Sequence, residues 1–206
     1  GTSEGDSLSQ SDMQQFDVSS SKGQYLFIQK MIQCCVSGGE ICTVIDEGVL
    51  NTDSGSNLRK YILQHCKIIC VVNLPNETFK PNKINVKSSL LYLEKRVTPD
   101  VDFEDNYKVT ICQFDSLGYQ GSGDKIRGFD KEKFIKEIEQ NVLNHSLGKQ
   151  RSGYNWKAFD IDVSEIYTDT TYRFDYKYWD IETRKQIKKL ADLKNPTIKE
   201  LNLIPT

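Results

Sequence analysis

Residues 40–95 read EICTVIDEGVLNTDSGSNLRKYILQHCKIICVVNLPNETFKPNKINVKSSLLYLEK, and their pattern decides the fold. Ile41–Ile45 and Ile68–Val72 are short, continuous and β-branched, as strands buried on both faces read. Between them, Leu58, Tyr61, Ile62 and His65 share one face of a helix over Ser56–Cys66. Strand, helix, strand predicts a βαβ unit and a parallel sheet. The second strand runs into a loop, Asn73–Asn82, that shows one aromatic, Phe79, among prolines and lysines. Val86–Leu93 then makes a third strand, and the connection predicts an antiparallel hairpin.

Working outward, a helix is expected over about Lys22–Ser37, with Tyr25, Ile28, Met31, Ile32 and Cys35 as its apolar stripe. Gly38-Gly39 ends it, since glycine accepts the left-handed conformation past a helix. Residues 1–21 are polar and read as a mobile loop. After strand one, Asp46 and Glu47 admit two readings. They either serve a ligand at the C-terminal end of a strand, where open α/β sheets bind, or cap a turn. Arg96–Asn106 reads as an acidic surface connection, and Tyr107–Phe114 alternates like a strand. Leu117–Gly123 is glycine-rich but lacks the lysine-serine end and the spacing of a phosphate loop. Phe134, Ile135, Ile138, Val142 and Leu143 have helical spacing over Lys131–His145. Residues 146–155 read as a linker, so a boundary is expected near residue 150: 22–149 is one unit and 150–206 an incomplete second one. The second unit holds an aromatic-dense segment, Tyr167–Trp179, a basic helix, Ile181–Leu193, and the run Thr197–Leu201.

The chain has 206 residues and a net charge of −2, which argues against a strongly basic nucleic-acid protein overall and leaves local basic patches open. No apolar run approaches the roughly 20 residues of a membrane span, and the N-terminus has no apolar core of a signal peptide. The six cysteines form no CxxC pair, and the two histidines are not spaced to complete a metal site. Reduced, mostly buried thiols in a cytoplasmic protein are expected, with no metal.

Four runs in this order carry a family resemblance. They are Ser37-Gly38-Gly39-Glu40, Ile45-Asp46-Glu47-Gly48-Val49-Leu50, Ile69–Leu74 with Pro75–Pro81, and Asn85–Leu93. Together they resemble N6-adenine DNA methyltransferases, specifically the modification subunits of type I restriction-modification systems and relatives fused to specificity domains. Tyr107–Tyr119 is similar to the segment that follows in that family. The chain departs from it at Asp46-Glu47, where the family usually has leucine-proline-aspartate-glycine. Tyr172-Arg173-Phe174-Asp175-Tyr176-Lys177-Tyr178-Trp179 resembles the start of a target recognition domain.

The resemblance implies the distal half of a Rossmann-like, S-adenosylmethionine-dependent α/β fold. That half is mostly parallel with an antiparallel terminal hairpin, and the start of a second domain follows it. The family's asparagine-proline-proline-aromatic tetrapeptide is absent, because none of the five prolines are adjacent. The glycine-rich cofactor turn is absent too. The chain therefore resembles a C-terminal half, with no catalytic residue of its own and with the cofactor held mostly by an N-terminal half. Implied partners are double-stranded DNA, that N-terminal half, a specificity domain or subunit, and a restriction subunit. The alternative is a non-catalytic module that binds DNA or a partner with half of the fold.

Methylating a base amino group in duplex DNA requires flipping the base out of the stack. Phe79 matches the family position that stacks on the flipped adenine; its other reading is a core anchor of the hairpin. Lys80, Lys83 and Lys87 surround it and are candidates for phosphate contacts or a solvated hairpin face. Asn73 and Asp46 are site-adjacent candidates. The tail aromatics read as packing against the methyltransferase body.

A half-sheet with an uncovered edge invites association. The chain expressed alone is expected to self-associate or to be poorly soluble. A monomeric elution profile together with a cooperative melt contradicts that expectation.

Overall fold

Strand β3 (Ser88–Lys95) runs antiparallel between β1 (Glu40–Asp46) and β2 (Cys66–Asn73), and this insertion organises the sheet. β4 (Lys108–Phe114) lies parallel to the far side of β2, and β6 (Trp156–Asp162) and β5 (Gln150–Gly153) follow antiparallel. The six-stranded order is β1-β3-β2-β4-β6-β5. The structure, a computed structural model, describes residues 9–192. The run Thr197–Leu201 lies outside the described residues.

The helices are α1 (Gln10–Met13), α2 (Gly23–Cys34), α3 (Glu47–Asn51), α4 (Ser56–His65), α5 (Lys131–Asn141), α6 (Val163–Tyr167), α7 (Tyr176–Trp179) and α8 (Ile181–Asp192). The α/β class expected from the sequence is present. The balance of pairings differs: among the described residues one strand pair is parallel and four are antiparallel. β1 and β2 do run in the same direction, as a βαβ unit requires. They are not neighbours, because β3 returns between them.

Alternation along the strands divides the core by face. Ile45, Leu91, Leu93, Ile68, Val109 and Ile161 meet Ile28 and Ile32 of α2 and Leu58 and Ile62 of α4. Cys70, Val72, Cys112 and Phe114 meet Phe134 of α5 and Trp156 on the other face. That second cover stops short of β1, where Cys42 and Val44 remain exposed. Cys66, Cys70 and Cys112 are buried, and burial pushes the Cys66 and Cys70 thiols up to about 12. Cys34 and Cys42 are exposed, against the expectation of mostly buried thiols.

Two segments read as peripheral are tied to the core. Residues 1–8 lie outside the described residues, but 9–21 hold α1 and are tied to α2. Buried Gln29 accepts from the Val18 N–H at 2.9 Å and donates to the Val18 carbonyl at 2.9 Å. Strands from both sides of the expected boundary at residue 150 share one sheet. β5 and β6 extend the same sheet, and Phe159, Phe174, Tyr176 and Trp179 complete its first core. Fully buried Arg59 of α4 fastens the tail by donating to the carbonyls of Thr171 (2.9 Å), Val49 (2.8 Å) and Thr52 (2.8 Å). Burial lowers its pKa, and the three carbonyls satisfy its donors where no carboxylate bonds it.

A buried ion pair closes the β5–β6 end. Arg151 donates to both carboxylate oxygens of Asp160, at 2.7 and 2.6 Å, and to the Val142 carbonyl. Thr110 Oγ1 donates to Asp160 at 2.9 Å, and His145 Nδ1 lies 2.8 Å away. Burial alone would raise the Asp160 pKa, but bonds from Arg151, His145 and Thr110 outweigh it and hold the carboxyl below the usual carboxylate range. A depressed folded-state pKa stabilises fully above the unfolded value of about 3.9 and is lost as pH falls through the folded one.

Asp160→Ala strands Arg151 in the interior and is expected to cost about 3–5 kcal/mol at neutral pH. The difference from wild type should shrink as pH falls below about 4, where the unfolded chain binds the proton, and vanish once folded Asp160 protonates at its lower pKa. Urea unfolding at several pH values checks both statements.

Candidate functional site

The register of β3 brings two strand ends together. Asp46, the last residue of β1, pairs with Ser88, and Asn73, the last of β2, pairs with Ser89. The sequence-predicted residues Asp46, Asn73, Phe79 and Lys87 therefore gather at one end of the sheet, around the loop that joins β2 to β3. Both strands point their C-termini here, which is where α/β sheets place ligands.

The loop 74–87 is a chain of tight turns. The Phe79 carbonyl accepts from the N–H groups of Asn82 (3.0 Å) and Ile84 (3.1 Å), and Thr78 Oγ1 donates to the Pro75 carbonyl at 2.6 Å. Pro81 sits inside the 3-10 turn Lys80–Asn82, and Lys83 closes it with a left-handed φ of 60°. The glycine-rich turn 117–123, which had no assigned role, supports this loop from outside. Gly123, at φ +93°, lies so close that a Cβ would stand 2.9 Å from the Lys80 carbonyl oxygen. Sequence reading registered those glycines and could not say what they approached.

Phe79 is half-buried, not a core residue. Its ring lines an open cleft of about 1170 Å³ with Ile84 and Val86 of its own loop, Phe27 and Met31 of α2, and Val44 of β1. The polar residues of the cleft include Lys22, Asp46 and Ser88. Tyr25 also borders it. Burial pushes its hydroxyl up, but hydrogen bonds with Thr52, Ser54 and Lys22 outweigh burial and leave its pKa below the usual tyrosine value.

The other candidates separate by environment. Asp46 accepts from the Gly48 N–H at 2.7 Å and caps α3, as its turn reading states, while still lining the cleft. Lys87 is engaged internally: its Nζ lies 2.8 Å from Glu47 Oε1, and its carbonyl accepts from the Glu47 N–H at 3.2 Å. Lys83 is exposed and Lys80 half-buried, and neither forms an ion pair among the described residues. Ser89 presents a buried hydroxyl with no partner beside this end of the sheet. Glu47 is the residue whose role sequence reading left undecided. Its place beside Lys87 depends on the β1–β3 register, which no local pattern encodes.

A cofactor cradle is not evident in these residues. The glycine-rich turn packs on the Phe79 loop, and Asp46 is committed to a cap. Among the described residues no group of acidic, histidine or cysteine side chains is placed to hold a metal ion. No described helix is long and apolar enough to cross a membrane.

Comparison with known proteins is informative. A family model of N-6 DNA methylases matches residues 6–179. Comparison with curated proteins returns no match. A chain from a structure of a type I restriction-modification system superposes with a TM-score of 0.56 at 17% identity, covering 89% of this chain and 39% of that one. A protein from Vibrio vulnificus YJ016, assigned as a modification subunit of a type I restriction enzyme, gives 0.54 at 18%, covering 84% and 34%. The type IIG restriction endonuclease BpuSI gives 0.51 at 8%, covering 86% and 18%. These identities establish the shared fold. The chain spans about two-fifths or less of each of these solved chains.

Proposed function

Because the chain belongs to the N-6 DNA methylase family, we propose that it is part of an enzyme that methylates adenine N6 in a specific DNA sequence for restriction-modification. The methyl donor is S-adenosylmethionine, held mainly by the N-terminal half of the methyltransferase domain. The family match across residues 6–179 carries this reading. The position of Phe79 supports it: a flat ring on a braced loop, facing a cleft at the C-terminal ends of β1 and β2.

In this reading the residues of this chain bind and orient rather than transfer. The flipped adenine lays its face on Phe79, a contact worth about 1–3 kcal/mol per stacked base. The stacking offsets part of the cost of taking the base out of the duplex. Loop rigidity matters because a ring already held in place loses little freedom when the base arrives. The Gly123 contact and the Glu47–Lys87 pair brace the loop from two sides. Lys80 and Lys83 are the phosphate contacts. Lys87 serves the loop's base through Glu47. Asp46 and Asn73 border the site as supporting residues. The asparagine that grips the adenine amino group comes from the N-terminal half.

Further partners are double-stranded DNA, a specificity domain or subunit, and a restriction subunit. The protein would work in the cytoplasm, and this chain alone would be inactive.

In the complete enzyme, Phe79→Ala is expected to lower methylation of duplex DNA by about 5- to 150-fold, the kinetic equivalent of the lost stacking. S-adenosylmethionine affinity should stay unchanged. Paired measurements of methyl transfer and cofactor binding test this, and lost cofactor binding places Phe79 in a different site.

A further inference from the structure

We propose that the hairpin 118–128 is a second contact for the DNA backbone, with Lys125 and Arg127 holding phosphates beside the base that Phe79 receives. The proposal rests on the reading above, in which duplex DNA is the substrate.

The hairpin is shaped by its own backbone and rooted in the core. Ile126 donates to the Gly118 carbonyl at 2.7 Å, Gln120 donates to the Asp124 carbonyl at 2.8 Å, and Tyr119 pairs with Lys125 across the two arms. Gly123 donates to the Gln120 carbonyl at 2.9 Å and tightens the tip. At the root, a Cβ on Gly118, at φ +86°, would stand 2.8 Å from the Phe129 ring, so glycine is what admits that ring. Phe129 packs in turn on Phe134 and Tyr154, with ring centroids 5.6 Å from each. The Asp130 N–H donates to the Tyr154 hydroxyl at 3.0 Å. Held this way, the tip reaches the Lys80 carbonyl of the Phe79 loop. Two loops distant in sequence thus share one surface.

That surface is cationic and offers no apolar anchor. Along the second arm exposure alternates: Lys125 and Arg127 are exposed and Ile126 between them is half-buried, so both cations leave the same side. Neither pairs with a carboxylate among the described residues, and Asp124 accepts from Ser122 Oγ at 2.8 Å. With Lys87 engaged by Glu47, the two loops present Lys80, Lys83, Lys125 and Arg127 against Glu77 and Asp124. The other exposed side chains of the hairpin are Gln120, Ser122 and Asp124, none of them aromatic or aliphatic. Protein interfaces centre on aromatic and apolar anchors. Phosphates are held instead by arginine, lysine and small polar side chains, the set present here. A flipped base stays covalently tied to its own backbone, so a base on Phe79 brings its flanking phosphates to this surface. A hairpin already braced loses little freedom when they arrive.

Salt dependence of DNA binding tests the contact without reading methylation. Affinity of the complete enzyme for duplex DNA is measured from about 50 to 200 mM salt, on two duplexes of unrelated sequence. Lys125→Ala and Arg127→Ala are each expected to reduce the slope of log affinity against log salt by about 1, equally on both duplexes. Arg127→Lys, which keeps the charge, should keep the slope. Unchanged slopes in both alanine variants overturn the contact; if affinity for a protein subunit falls instead, an acidic protein occupies the hairpin. If the slopes stay unchanged while Phe79→Ala lowers methylation, the enzymatic reading stands and the contact fails. If the slopes fall but no N6-methyladenine forms, the contact stands and the enzymatic reading fails.

Discussion

The return of β3 between β1 and β2 is the constraint on which the site depends. A loop of 14 residues, 74–87, must leave the end of β2 and re-enter beside the end of β1. It has no freedom to wander, because Leu74 donates to the Ser88 carbonyl and Glu47 to the Lys87 carbonyl at its base. Those bonds set where Phe79 stands. The inserted strand also separates β1 from β2 and leaves β1 at the margin, so the same event that builds the candidate base platform creates the free edge.

Much of this was legible because it is local. The β-branched runs of β1 and β2, the helical spacing of Leu58, Tyr61 and Ile62, and the stripe of α2 each encode an element in a short window. The exposed aromatic on the β2–β3 loop was visible for the same reason. What escaped was set by partners distant in sequence. Residues 150–162 read as linker and mixed segment because Arg151 and Asp160 look like surface charges; only their mutual pairing allows both to be buried. The stretch before α2 read as mobile because nothing local shows Gln29 reaching back to Val18. The pairing directions escaped too, since the runs specify strands but not their neighbours. The sheet is consequently more antiparallel than its βαβ pattern promised.

The lysines around Phe79 show the same limit on a smaller scale. Three cations within eight residues look alike in sequence. In space they differ: Lys87 answers Glu47 at the foot of the loop, while Lys80 and Lys83 remain on its outer side. The departure of Asp46-Glu47 from the family pattern now has a physical content, since Glu47 supplies the anion that holds Lys87. Glycine at 123 likewise acquires a reason, the close approach of the Lys80 carbonyl. Specific contacts, rather than composition, turn a basic aromatic loop into a shaped one.

We propose that this chain contributes the distal, base-holding half of an adenine methyltransferase and does not act by itself. The most direct measurement is mass spectrometry of nucleosides from duplex DNA incubated with S-adenosylmethionine and either the full-length gene product or this chain alone. The account predicts N6-methyladenine with the first and none with the second. Methylation by this chain alone, or its absence with the full-length product bound to its partners, contradicts it.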